Sequence, residues 1–157
     1  MRRPATISDS LQDLIGKPAW GLKRTHGSMF FLEIGSPAYQ RTNSRGEIIR
    51  HGEWHFLFEW VRWSFSNEAT KLLDSDDETS TIDTLFETLE LGSVSAARFD
   101  ETSGKLKLQF SRGTEVNVEP NDIDPADSDW ALFIPGELAW SWSPDALTLD
   151  SIHATRT

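Results

Sequence analysis

Hydrophobic positions are densest over residues 52–65, where the chain reads Gly-Glu-Trp-His-Phe-Leu-Phe-Glu-Trp-Val-Arg-Trp-Ser-Phe. At the two-residue period of a strand, one face carries Trp54, Phe56, Phe58 and Trp60. The other carries His55, Leu57, Glu59, Val61, Trp63 and Phe65. A strand with one wet face alternates apolar and polar residues. This segment is apolar on one face and mostly apolar on the other, so the pattern predicts a central strand covered on both sides.

The rest of the chain is punctuated by short alternating runs. Ser28–Ile34 alternates Phe30, Leu32 and Ile34 with Met29, Phe31 and Glu33, and Gly35-Ser36-Pro37 is expected to stop it. Val94–Phe99 and Lys105–Phe110 flank a hairpin connection with Gly104 available for positive φ. Thr114–Val118, Trp130–Ile134 and Glu137–Trp142 follow, and Leu147–Leu149 adds a last apolar pair. One segment has helical spacing: Ile82, Leu85, Phe86 and Leu89, with Ser80 or Thr81 placed to cap an exposed amide.

About eight short strands and one helix near residues 80–89 predict an α+β, mainly β fold. Its expected form is a curled antiparallel sheet, either a partly open barrel or a two-layer sandwich. Residues 1–19 read as a flexible arm with a turn of helix at Ser10–Ile15. Residues 20–150 read as a single β-rich domain containing an acidic loop at 66–81, and 151–157 as a tail. A chain of 157 residues suits one domain with a real core.

Charge changes this picture more than composition does. The net charge is −10, yet residues 1–62 carry nine Lys or Arg against six Asp or Glu. Residues 63–157 carry six against nineteen. Such a field disfavours nucleic acid on the C-terminal half and favours cations or a basic protein partner. Asp122, Asp124, Asp127 and Asp129 are the candidate partner-facing residues. With no cysteine, disulfides and thiolate chemistry are excluded. No apolar run approaches a membrane span and none follows Arg2-Arg3 as a signal peptide requires, so a cytoplasmic protein without membrane contact is expected.

Candidate chemistry is sparse. Gly52 breaks a helical reading of His51 and His55, and four positions along a strand separate residues by about 13 Å, too far for simple joint ligation. Phosphate-cradling and dinucleotide fingerprints are absent, and no catalytic set, metal site or cofactor is assigned. The polar groups inside apolar segments are Glu33 and Glu59, each costly if buried without a partner. A Trp-lined pocket would draw on Trp54, Trp63, His55, Glu59, Glu33 and His26.

Pro18-Ala19-Trp20-Gly21 leading to Gly27-Ser28, Gly52 to Trp63, Lys105–Phe110 with Gly113 to Pro120, and Trp130-Ala131-Leu132-Phe133 resemble small bacterial domains. Some of those domains are immunity-type proteins that accompany secreted toxins. The resemblance implies a non-enzymatic binding protein that masks a basic partner with its acidic surface. Two other readings stand beside it. One is a small-molecule-binding or hydrolytic domain using Glu33, Glu59 and His55. The other is a self-association module, a homodimer through strand 54–65.

Overall fold

The computed structural model describes residues 3–152; the tail expected over 151–157 lies outside the described residues from 153 onward. The chain runs through α1 (Ile7–Asp13), β1 (Pro18–Arg24), β2 (Phe30–Thr42), β3 (Ile48–Phe58), β4 (Val61–Asn67) and β5 (Thr70–Asp74). It continues through α2 (Thr79–Thr88), β6 (Gly92–Asp100), β7 (Lys105–Phe110) and β8 (Thr114–Pro120). After a 3-10 turn (Pro125–Asp127) come β9 (Trp130–Ile134), β10 (Leu138–Ser143) and β11 (Ala146–Ser151). The eleven strands form one antiparallel sheet in the order β11-β10-β9-β3-β2-β1-β6-β7-β8-β4-β5.

The expected mainly β content is present, but the expected curled sheet, closing as a partly open barrel or stacking as a two-layer sandwich, is not. The sheet is continuous and has two ends, β11 and β5. A second α-helix also precedes the one read from the sequence. The turn expected at Ser10–Ile15 is the helix α1, which starts at Ile7 because Thr6 and Asp9 form a reciprocal capping box. Ile7, Leu11 and Leu14 bury its inner face, and Trp140 Nε1 donates to the buried Ser10 hydroxyl at 2.8 Å. α2 lies one residue from its expected start and buries Ile82 and Phe86, the apolar positions that marked it.

The aromatic segment 52–65 is two strands. β3 ends at Phe58 and β4 begins at Val61, with Glu59 and the half-exposed Trp60 turning the chain between them. β3 lies between β2 and β9, whereas β4 lies between β8 and β5. No single strand 54–65 exists to present one continuous apolar face for self-association. Its rings nonetheless meet in one core: Phe30 of β2 lies 5.0 Å from both Phe58 of β3 and Trp63 of β4, and 5.3 Å from Phe86 of α2. The stretch 66–81 expected as an acidic loop contains β5, pinned by the buried Leu73.

The difference that matters most for the site is in β2. Gly35-Ser36-Pro37 does not stop it. Gly35 takes φ +85 and the strand continues to Thr42. Pairing with β3 steps from Ile34↔Trp54 to Pro37↔Gly52 and then to Tyr39↔His51, so β2 carries extra residues at both steps. Bulges of this kind bend a strand pair. The distal part of the β2–β3 hairpin, Pro37–Thr42 against Ile48–Gly52, is thereby turned relative to the sheet as an arm. Lys23 of β1 pairs with Glu47 at the arm's tip (3.7 Å).

Candidate functional site

At the base of this arm, three ionisable side chains are buried together. Glu33, His51 and His55 are 5%, 2% and 3% exposed, and one ligand atom from each lies within 4.8 Å of the others. β2 supplies Glu33, while His51 and His55 stand on β3 at either side of the bend. The imidazole rings stack at 4.3 Å with planes 21° apart. The expectation that strand geometry holds these histidines too far apart is therefore corrected. The 13 Å spacing belongs to a regular strand, and the bulged hairpin at Gly52 is not one.

Gly52 is the residue that permits the bend. A Cβ at this position would overlap the Ile34 carbonyl oxygen and crowd the rest of that peptide. Its N–H donates to Glu33 Oε1 at 3.0 Å. The second partner of the carboxylate is His51 Nδ1, at 3.0 and 3.2 Å from the two oxygens. On the other side of the ring, Arg41 Nε donates to His51 Nε2 at 3.1 Å. A guanidinium N–H can only donate, so Nε2 accepts and the ring hydrogen sits on Nδ1, facing Glu33. Buried Glu33, buried His51 and exposed Arg41 thus form a hydrogen-bonded line from the interior to the surface. The nearby cations Arg62, Lys23 and Arg24 pair elsewhere, with Glu119 and Asp122, with Glu47, and with Asp83.

His55 is set differently. Phe133 of β9 stacks on it at 4.4 Å and His51 covers its other side. The Tyr39 hydroxyl lies 3.3 Å from both ring nitrogens. Their in-plane directions diverge, so one hydroxyl serves at most one of them. Burial above all, with the Arg41 charge adding to it, pushes the His55 pKa from the ordinary 6.5 down to about 3. Phe31 packs against both imidazoles (5.2 and 5.7 Å), and the Arg41 guanidinium lies over the Phe31 ring at 6.0 Å.

A cleft of about 480 Å³ adjoins the cluster under the arm. Trp20, Phe31, Ile48 and Ile49 give it apolar walls, Lys23, Gln40 and Arg50 line its rim, and Glu33 reaches it from below. Gly21 leaves room for this arrangement, since a Cβ there would lie 2.7 Å from Glu33 Cγ.

Of the six residues expected to line one Trp pocket, only Glu33 and His55 come together. Trp54 faces the core side, with Lys17 over its ring at 5.4 Å. Trp63 is buried in the core and donates to the Ser28 carbonyl at 2.9 Å. Glu59 sits beside Asp129, and burial with that charge raises its pKa. His26 is exposed in the β1–β2 turn. The tryptophan that shares the cleft with Glu33 is Trp20. Sequence reasoning also missed Tyr39, Arg41 and Phe133 as neighbours of the histidines.

Two of the four aspartates have local partners outside their own group. Asp122 pairs with Arg62 at 3.3 Å, and Asp129 accepts from Trp60 N–H at 3.3 Å. Asp124 and Asp127 share a hydrogen bond that raises the Asp127 pKa. No helix among the described residues is long and apolar enough to cross a membrane. Comparison of the chain with known protein families, curated proteins and solved structures found no match.

Proposed function

We propose that this protein binds a small amphipathic molecule in the cleft beneath the β2–β3 arm. The observation that carries this reading is the placement of buried Glu33 at the floor of an otherwise apolar cleft, backed by two buried histidines. Ligand clefts have volumes of roughly 300–1,000 Å³, apolar walls and a few convergent polar groups. Trp20, Phe31 and Ile49 suit the flat apolar part of such a molecule. Lys23 and Arg50 at the rim suit an anionic group held away from the Glu33 carboxylate. The acidic-face reading has less support, because two of its four aspartates are engaged in local structure.

Anilinonaphthalene sulfonate, a flat aromatic anion, is a direct probe. Native protein is expected to enhance its fluorescence saturably. Ile49→Trp, which fills the cleft, should abolish that signal, and Lys23→Glu with Arg50→Glu should weaken it by about tenfold, the equivalent of about 1.4 kcal/mol. No enhancement by the folded protein, or enhancement indifferent to both variants, would sink this reading.

A further inference from the structure

We propose that Glu33, His51 and His55 form a site for one divalent transition-metal ion of the zinc, nickel or cobalt type. The inference goes beyond the cleft reading and shares with it Glu33 and the two histidines behind it. Two imidazoles and one carboxylate are a donor set for these borderline metals, whereas calcium and magnesium take mostly oxygen ligands. Ligands about 2.0–2.1 Å from one tetrahedral ion lie about 3.3 Å apart. His51 Nδ1 and the Glu33 oxygens already stand at 3.0 and 3.2 Å, with a hydrogen between them. The third donor is the His55 nitrogen that the Tyr39 hydroxyl leaves unserved in a ring 3% exposed.

Two changes accompany metal entry. Lone pairs of parallel stacked rings lie in separate planes and cannot meet at one ion, so His55 turns about its Cβ–Cγ bond, out of its stack on His51. His51 ligating through Nδ1 must carry its hydrogen on Nε2, which then faces the Arg41 N–H donor-to-donor. Arg41 therefore leaves, and its exposed position allows it to. Arg41 acts as the competitor of the metal, in charge and in hydrogen bonding.

Calorimetric titration of the full chain with zinc chloride, paired with the visible absorption of the cobalt form, tests this. One ion per chain is expected. Glu33→Gln and His55→Gln should each weaken binding at least tenfold, while His26→Gln and Ile49→Trp leave it unchanged. Arg41→Gln should tighten binding several-fold, which a merely structural Arg41 would not do. His55→Cys keeps a donor, so it should still bind cobalt and add a thiolate charge-transfer band even if the Gln variants fold poorly. Absence of binding, binding lost with His26→Gln, weaker binding in Arg41→Gln, or no thiolate band in His55→Cys would overturn the proposal. Because Ile49→Trp blocks the cleft alone, loss of the dye signal and loss of the metal separate the two readings.

Discussion

The imidazole of His55 lies buried between Phe133 and His51 with the Arg41 charge nearby, and this burial and charge oppose a proton on it. Its folded pKa of about 3 lies below the ordinary 6.5 of an unfolded chain, so the unfolded state takes up the proton first. The contribution to stability is fully present above about pH 6.5 and is lost as pH falls towards 3, by about 1.4 kcal/mol per pH unit. Urea unfolding between roughly pH 6.5 and 5, above the main carboxylate range, should show this slope in the native protein and a shallower one in His55→Gln. Equal slopes would mean that His55 is not the titrating group. At this scale the sequence was half legible. Glu33 stood out as a carboxylate among apolar residues, and the His51–His55 spacing was visible. Their convergence was not, because it depends on which β2 residues oppose Gly52, and pairing register is not written in either strand alone.

At the scale of the element, local punctuation misleads in both directions. Gly35-Ser36-Pro37 reads as a stop, yet an antiparallel pair absorbs it as bulges when the partner strand offers a glycine for close approach. Conversely, residues 53–65 carry no Gly or Pro, so nothing local marks the turn at Glu59-Trp60. There the break is tertiary: Trp60 N–H is taken by Asp129 and Trp63 by the Ser28 carbonyl, partners distant in sequence. α2 and β9, by contrast, were legible almost to the residue, because their own periodicity and flanking turns define them. Gly52 is the pivot of the arm. Gly52→Ala forces β2 and β3 apart against the Ile34 carbonyl and should cost about 3 kcal/mol, the upper end of overpacking penalties. Thermal melting checks the cost. Loss of the dye signal at temperatures where the variant remains folded would show that the arm, and not the whole sheet, has moved. A variant as stable as the native protein would refute the close approach.

The whole molecule poses a question that neither residues nor elements answer: what couples the two ends of an eleven-stranded sheet. The β1–β6 junction that joins its halves rests on two residue pairs, Pro18↔Ser93 and Ala19↔Gly92. So short a ladder supplies few backbone hydrogen bonds, each worth about 1 kcal/mol net. Coupling has to come from side chains, and the aromatic rings supply it. Phe30 touches rings from β3, β4 and α2, while Phe99 of β6 meets Trp130 of β9 at 5.4 Å, edge on. The aromatic run that first marked the sequence thus works in two pieces, with Phe58 and Trp63 entering the core from strands six places apart in the sheet order. Burial of this kind is shared between halves, so unfolding one exposes the rings of the other. A single calorimetric transition is expected, with equal calorimetric and van't Hoff enthalpies. Phe30→Ala should cost about 3–5 kcal/mol, as a large ring lost from a closed core does. It should lower the amide protection of β3 and of β4 together, since both carry rings packed on Phe30. Protection lost in β3 alone would show that the β1–β6 junction, and not the aromatic core, is where the molecule divides.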